Sequence, residues 1–295
     1  MALELQSGPW HAVVHPEIGG ALGSLRHEGA PVLREMPDEA VAARNVRLTA
    51  CYPLVPYSNR IAHGVFRFEG AEYHVRKNFD NATHAIHGVG WQSAWSVQQA
   101  TASEVVLSLR HRPQGAVQDL WPFAFDAEQR VALDSEGGVT LSLTVVNVDP
   151  RNMPAGLGWH PYFVRTPKTT LTFESEGAWL TGPDHLPAAR ARTAQWDFSH
   201  PRVVVDQALD NAFFGWKGVA TLRDESQGKV ITVTADYLFQ QLVVFAPADR
   251  QFVAVEPVSN MTDALNRTAE PDHNLRVLAP GERLSGSFHI RVEPL

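Results

Sequence analysis

The sequence predicts an all-β fold of antiparallel strands, and three observations support this prediction. Apolar and polar residues alternate with a period of two in several segments, which is the pattern of half-buried strands. The chain contains 21 Gly and 20 Pro, residues that commonly form turns. No segment carries the sustained apolar stripe of a core helix. Short strands separated by turns at intervals of ~8–12 residues are typical of a β-sandwich or a barrel.

Four segments show the alternation most clearly, and we expect each of them to form a strand: residues 105–109, 140–148, 231–235 and 284–292. In the second segment, Leu141, Leu143 and Val145 lie on one face, and the Thr and Ser residues between them lie on the other. Helical structure is expected only as two turns over residues 37–44 and one turn over residues 262–266.

Length and composition favour one large globular domain. The chain has 295 residues, of which 44% are hydrophobic and 19% are charged, so it lacks the composition of a disordered protein. It contains no internal repeat, no low-complexity tract and no obvious linker. We therefore expect residues 1–295 to form a single domain, since β domains often reach this length.

Charge and cysteine content exclude several classes of function. With 25 Lys+Arg against 32 Asp+Glu the formal net charge is −7, which argues against nucleic acid or an anionic membrane as a partner. Cys51 is the single cysteine, so neither a disulfide framework nor a Cys-rich zinc site is expected. The N-terminal residues do not resemble a secretory signal, and no stretch approaches the ~18 apolar residues that would span a bilayer. We expect a soluble, cytoplasmic protein.

Four common functional motifs are absent from the sequence. There is no Gly-x-Gly-x-x-Gly and no phosphate-binding loop ending in Gly-Lys-Ser/Thr. There is no Gly-x-Ser-x-Gly around a nucleophilic serine. There is also no His-Glu-x-x-His motif, and the histidines lack the spacing of metal ligands. We therefore expect no nucleotide cofactor and no metal.

Two polar motifs in the first third of the chain stand in unusual contexts. Asn59-Arg60 follows an apolar stretch with several prolines, residues 51–56, where a guanidinium must find acceptors. His87 precedes Gly88, and a glycine allows a ligand to approach the backbone closely. Both motifs have a structural alternative, because an Arg at a surface turn and a hydrogen-bonded core histidine are both common.

Two further motifs contain a candidate acid and a candidate base. His160 lies in the segment 156–163, where Pro161 restricts it to the extended region and the neighbouring aromatic residues offer flat faces to a sugar. Glu256 ends an apolar strand, and a poorly solvated carboxylate is a candidate functional group. The structural alternatives are a buried aromatic cluster for the histidine and an ion pair for the glutamate.

In this order, the motifs resemble those of the aldose 1-epimerase family, the galactose mutarotases. The resemblance runs from about residue 50 to residue 267. It rests on Asn59-Arg60 with Gly64 and Phe66, on His87-Gly88, on His160-Pro161-Tyr162-Phe163, on Asp210-Asn211-Ala212-Phe213, on Val255-Glu256-Pro257 and on Asp263-Ala264-Leu265-Asn266.

The resemblance implies a β-supersandwich, a large antiparallel sandwich with few short helices and an open sugar cleft on one sheet. It also implies that the protein interconverts the α and β anomers of free aldoses without cofactor or metal. By similarity, Glu256 is the general base and His160 is the general acid. The residues that would hold the substrate are Asn59, Arg60, His87 and Asp210.

Two positions depart from the pattern of the family. Val89 stands where the family often has a second glycine after the histidine. Many members carry a sugar-contacting Gln on the strand before the catalytic Glu. The equivalent position here is Val243, with Gln241 two residues earlier on the same face.

The leading hypothesis is therefore an isomerase, an aldose 1-epimerase that acts on a small free hexose and exists as a monomer or a homodimer. One alternative is a hexose-6-phosphate 1-epimerase, which would need a basic clamp at the rim of the cleft. Arg67, Arg76 and Lys77 are the available residues. Another alternative is a non-catalytic carbohydrate-binding protein of the same fold, although binding alone requires no paired acid and base.

Overall fold

A computed structural model of the chain describes residues 1–79, 82–204 and 208–295. Strands occur along the whole length of these residues. In chain order they are β1 (Leu3–Ser7), β2 (Trp10–His15), β3 (Ala21–His27), β4 (Ala30–Pro31), β5 (Pro53–Leu54), β6 (Arg60–Ile61), β7 (Val65–Phe68), β8 (Ala71–His74), β9 (Ala85–Ile86), β10 (Ser96–Ala100), β11 (Glu104–His111), β12 (Phe125–Asp134), β13 (Gly138–Asn147), β14 (Met153–Ala155), β15 (Gly158–Trp159), β16 (Tyr162–Val164), β17 (Thr170–Phe173), β18 (Gly177–Thr181), β19 (Pro187–Ala191), β20 (Arg202–Val203), β21 (Leu209–Phe214), β22 (Val219–Asp224), β23 (Lys229–Ala235), β24 (Gln241–Ala246), β25 (Phe252–Val258), β26 (Arg276–Leu278) and β27 (Arg283–Pro294).

Helices are few and short. The described residues contain one α-helix, α1 (Asp38–Ala42), together with single turns of 3₁₀ helix at Val46–Leu48, Ala62–Gly64, Gly90–Gln92, Gly115–Val117, Ala194–Trp196 and Ala264–Asn266. The two helical segments expected from the sequence correspond to α1 and to the last of these turns. Within the described ranges, no helix has the length and apolar character needed to cross a bilayer.

Two large antiparallel sheets contain most of the strands. The nine-stranded sheet has the order β10-β11-β12-β13-β27-β23-β22-β17-β20. The eight-stranded sheet has the order β19-β18-β21-β24-β25-β15-β5, and β16 also pairs with β25. Strands β1 to β4 form a four-stranded sheet. The four segments predicted as strands lie in β11, β13, β23 and β27, so the predicted all-β antiparallel fold is confirmed.

The two large sheets pack face to face through aromatic side chains. The ring of Trp159 in the eight-stranded sheet lies 4.9 Å from that of Phe288 in the nine-stranded sheet. Farther along, Phe173 and Phe213 make a similar contact at 4.8 Å. Large aromatic residues bury much apolar area, and this burial favours the closed sandwich. That residues 1–295 form a single domain remains a prediction.

Strand β25 has buried residues on both of its faces. Val253 and Val255 point into the main core between the sheets, whereas Ala254 belongs to a smaller apolar cluster on the other face, together with Val243 of β24. Because side chains alternate along a strand, Glu256 shares the face of Ala254. That face forms the floor of the cleft described next.

Candidate active site

An open cleft with a volume of about 660 Å³ lies on the eight-stranded sheet, within the size range of small-molecule sites. The six site residues predicted from the sequence all line it: Asn59, Arg60, His87, His160, Asp210 and Glu256. They come from five separate parts of the chain.

His160 and Glu256 meet because one strand pairs with two others. Strand β25 pairs with β15 in a register that places Val258 opposite Gly158, and it pairs with β16 in the same register. Continuing that register across the gap between β15 and β16 places His160 opposite Glu256. Nε2 of His160 lies 3.2 Å from Oε1 of Glu256, and the two side chains are only 9% and 3% exposed.

Burial changes the proton affinity of both members of this pair. It raises the pKa of Glu256 well above its usual value, and the negative charge of Asp210 adds to this effect while the positive charge of Arg60 opposes it. Burial also lowers the pKa of His160 well below its usual value, helped by His87 and by Arg34. Both shifts favour the uncharged form of the group concerned, a carboxylic acid for Glu256 and a neutral imidazole for His160.

A compact network positions His87. Its backbone N–H donates to the carbonyl of Asn59 at 2.9 Å, and the backbone N–H of Asn59 donates to Nδ1 of His87 at 3.2 Å. Burial, together with the charge of Arg60, lowers the pKa of His87 to about 3, so its ring is neutral near pH 7. Since Nδ1 accepts a hydrogen bond, we assign the ring proton to Nε2.

The same asparagine also fixes Arg60. Oδ1 of Asn59 accepts hydrogen bonds from the backbone N–H of Arg60 at 2.9 Å and from its Nη1 at 3.2 Å. The carbonyl of Arg60 accepts from the backbone N–H of Asp263 at 2.9 Å, and Oδ1 of Asp263 accepts from the N–H of Ala62. Asn266 donates to that same oxygen at 2.8 Å. The Asp263–Asn266 motif therefore supports the segment that presents Arg60.

Asp210 stands on β21, and its side chain is 39% exposed. The ladder places Asp210 opposite Phe245 of β24. Nδ1 of His185, from the turn before β19, lies 3.8 Å from its carboxylate. Asp210 is thus far more solvated than Glu256, whose side chain is 3% exposed.

Other cleft residues were not singled out from the sequence as site residues. Aromatic walls come from Tyr52, Trp91 and Tyr162, with the ring of Tyr162 stacked on His160 at 4.3 Å and that of Tyr52 at 4.9 Å. The presence of Trp91 and Tyr162 within the histidine motifs was a usable signal. Tyr52 gave none, because an aromatic residue in an apolar stretch is usually core.

Three arginines also line the cleft, and sequence analysis missed all of them: Arg34, Arg47 and Arg250. The basic clamp considered from the sequence lies elsewhere. Arg67 and Arg76 form ion pairs with Glu72 and Asp119, and neither they nor the exposed Lys77 line the cleft. Arg67 lies in the hairpin formed by β7 and β8, and Arg76 and Lys77 follow that hairpin in the chain.

The departure from the family pattern at Val243 has a clear structural setting. Val243 lines the cleft beside Glu256, its neighbour in the ladder. The amide of Gln241 donates instead to the carbonyl of Asp272 at 2.9 Å and to Oδ1 of Asn274 at 3.0 Å, so it is engaged with a loop. Among the described residues, no three His, Cys, Asp or Glu side chains are grouped so that they could hold a metal ion.

Comparisons with known proteins agree with this fold and identify a family. A family model described as "Aldose 1-epimerase" matches residues 1–291. The uncharacterized protein YphB of Escherichia coli K12 is 29% identical over 286 residues, which cover 93% of each chain. A crystal structure of a candidate aldose 1-epimerase from the same organism superposes with a TM-score of 0.90 at 26% identity, covering 100% of this chain and 99% of that one. A galactose mutarotase-like protein from Clostridium acetobutylicum gives 0.85 at 19% identity, covering 100% and 95%.

Proposed function

Since the chain belongs to the aldose 1-epimerase family, we propose that it interconverts the α and β anomers of a hexose by opening and reclosing the pyranose ring. The observation that carries this proposal is the 3.2 Å contact between His160 and Glu256 in an open cleft. Ring opening requires one group to remove a proton from the C1 hydroxyl and another to protonate the ring oxygen O5. An acid and a base side by side on the cleft floor can reach two oxygens of one ring.

The reaction balances without any further reagent. The carboxylate of Glu256 accepts the proton of the C1 hydroxyl while protonated His160 donates a proton to O5. The C1–O5 bond breaks and C1 becomes an aldehyde, which rotates about C1–C2. O5 then adds to the other face of the carbonyl with both proton transfers reversed. The cycle consumes no net proton and transfers no electrons, so the proposed mechanism uses no cofactor.

The shifted proton affinities of the pair are compatible with these roles. A neutral carboxylic acid beside a neutral imidazole and a carboxylate beside an imidazolium differ only in the position of one proton. The pair therefore interconverts these two forms by moving one proton across the 3.2 Å contact between Oε1 and Nε2. The active state is the pair that carries one exchangeable proton.

The remaining predicted residues hold the sugar and the charge that develops on it. Arg60 brings a fixed positive charge toward oxygens that gain negative charge as the ring opens. Neutral His87 contributes a single N–H donor from Nε2. Asp210 accepts hydrogen bonds from sugar hydroxyls, and Asn59 orients both Arg60 and His87. We expect the protein to act on this small molecule in the cytoplasm, as a monomer or a homodimer.

The test is the rate of anomer exchange measured by NMR on a panel of free aldoses and their 6-phosphates, corrected for the spontaneous reaction in water. We expect saturable acceleration of at least one hexose. If no sugar exchanged faster than background while some sugars bound, the proposed catalysis would be wrong and a non-catalytic carbohydrate-binding protein would replace it. Chelators are expected to leave the rate unchanged.

A further inference from the structure

Charged side chains are unevenly distributed around the cleft. The carboxyl group of Glu256 feels the charges of Asp210 and Arg60. Arg34 and Arg250 also line the cleft, and we call the part around them the arginine end. The remaining lining carboxylate among the described residues is Asp249, next to Arg250. A neutral sugar has no need of such an excess of positive charge. The arginine end therefore points to a ligand group of opposite charge.

The strand ladder shows how far this end lies from the catalytic pair. Tyr162 is paired with Ala254, two residues before Glu256 on β25, and Phe252 begins the same strand. The guanidinium of Arg34 lies 3.4 Å from the centre of the Tyr162 ring and 4.9 Å from that of Phe252. At ~3.3 Å of rise per residue, Ala254 and Phe252 lie about 7 and 13 Å along the strand from Glu256. A substituent on a sugar ring that contacts Glu256 can therefore reach the arginine end.

The guanidinium of Arg34 is held in place by backbone carbonyls, and these contacts use only some of its N–H donors. It is half-buried, and it donates from Nε to the carbonyl of Thr49 at 2.7 Å and from Nη2 to the carbonyl of Arg47. A guanidinium has five N–H donors, so further donors remain for a ligand. In the described part of the chain, no carboxylate forms an ion pair with Arg34. A half-buried cation held by carbonyls and aromatic rings suits a planar, bidentate contact with an anion.

Arg250 adds a second, more exposed cation at the same end. It lies in the loop between β24 and β25, and its side chain is 64% exposed. Its ion partner is the adjacent Asp249, at 3.3 Å and 75% exposed, and such an exposed pair contributes little stability. Arg34 and Arg250 line the same cleft, and repulsion by the charge of Arg250 adds to the burial that lowers the pKa of Arg34. A bound anion would relieve that repulsion.

We propose that the substrate is an aldose with an anionic group, a phosphate or a carboxylate, on the exocyclic carbon attached to C5, and that Arg34 and Arg250 bind this group. The inference rests on the proposed function, because it uses the assignment of His160 to the ring oxygen. C5 is bonded to O5, so its substituent projects on the His160 side of the ring. Tyr162 stacks on His160, and Arg34 stacks on the far side of Tyr162, which continues the same row of side chains.

The experiment compares neutral and anionic aldoses in the same exchange assay. The probes are D-glucose, D-glucose 6-phosphate and D-glucuronate, each corrected for its own spontaneous exchange. We expect kcat/KM to be at least ten times higher for one of the anionic sugars than for D-glucose. This preference should weaken as ionic strength rises, because salt screens an exposed cation such as Arg250. The phosphate and carboxylate arms identify which anion the arginines fit.

Variants separate the arginines from the catalytic pair. Arg34→Gln and Arg250→Gln should each lower the ratio of anionic to neutral kcat/KM by about tenfold, the size expected for losing one charged contact. Arg250→Gln is informative even if Arg34→Gln misfolds, because Arg250 is exposed. Arg223→Gln, an exposed arginine on β22 outside the cleft, is the matched control and should leave the ratio unchanged.

The outcomes distinguish this inference from the proposed function. If kcat/KM for D-glucose equals or exceeds that for both anionic sugars, the proposal of an anionic substrate is wrong. The epimerase proposal would then remain intact. An unchanged ratio in both variants would also overturn it. Absence of catalysed exchange for every sugar would instead remove the proposed function itself.

Discussion

Nε2 of His160 and Oε1 of Glu256 lie 3.2 Å apart on the floor of the cleft, and both side chains are more than nine-tenths buried. Two titratable groups that are removed from water and in contact share their protons as a unit. Most buried polar groups serve structure, but this pair opens onto a cleft lined by further polar side chains.

Glu256→Gln is expected to lower kcat by about 10²–10⁴-fold, the usual contribution of general acid–base catalysis. The amide keeps the shape of the carboxyl group and can still form hydrogen bonds, so sugar affinity should change only a few-fold. NMR exchange rates at saturating hexose measure the effect. Glu128→Gln, on the exposed face of β12, serves as the control. A wild-type kcat in Glu256→Gln would contradict the mechanism.

Combining Glu256→Gln with His160→Asn should cost far less than the product of the two single losses. The two groups act in one transfer, so removing either one already disables most of it. The double-mutant cycle is measured with the same exchange assay. Independent, multiplicative losses would show that the two residues act in separate steps.

The alkaline limb of the kcat/KM profile should move to lower pH in Asp210→Asn. Burial is the main cause of the raised pKa of Glu256, and the negative charge of Asp210 raises it further. Removing that charge lowers the affinity of the pair for its last proton, so the active one-proton form is lost at a lower pH. The profile of kcat/KM reports the free enzyme, so a change in sugar binding does not mimic this shift. A limb that stayed in place or moved upward would refute the coupling.

Gly88→Ala should destabilise the protein and displace His87. Gly88 has a left-handed φ of 70°, and a Cβ at this position would overlap the carbonyl oxygen of Val55. Gly70→Ala is the matched control, because Gly70 has a φ of 83° and open space around it. The free energy of unfolding of the control should fall by about 1–2 kcal/mol because of the left-handed backbone alone. That of Gly88→Ala should fall by clearly more. Urea unfolding at neutral pH measures the loss of stability in both variants. Equal losses would show that the close approach of Gly88 to the carbonyl of Val55 does not affect stability.

His87 should make the fold sensitive to acid. Burial lowers its pKa in the folded protein from 6.5 to about 3. Between these values the unfolded chain binds a proton that the folded chain does not, so the free energy of unfolding falls as the pH falls. The contribution of one such group is at most about 1.4 kcal/mol per pH unit. Urea unfolding from pH 7 to pH 4 should therefore show a shallower loss in His87→Gln than in the wild type. The exposed His200→Gln should follow the wild type, and parallel curves for all three proteins would contradict the prediction.

Much of the fold could be predicted from the sequence because the signal for strands is local. The alternation of Leu141, Leu143 and Val145 with polar residues depends only on neighbours in the chain, and these residues are buried in β13 as expected. The scarcity of helices is equally local. The order of the polar motifs along the chain was sufficient to indicate the family.

The contacts within the site could not be predicted in the same way, because they depend on which strands pair. His160 meets Glu256 only since β25 pairs with β15 and β16 in one continuous register. Arg34 reaches the cleft from the N-terminal part of the chain by stacking on Tyr162, a contact with no trace in the local pattern. Arg67 and Arg76, close to Arg60 in sequence, lie outside it.

The sequence by itself therefore determined the class of fold, the residues with acid–base chemistry and the family. The tertiary structure alone decided which of these residues touch, which arginines face the ligand and how burial shifts the proton affinities of His160 and Glu256. The physical reason is that alternation and turn formation are properties of adjacent residues, whereas strand pairing, burial and charge proximity arise between segments that are distant in the chain.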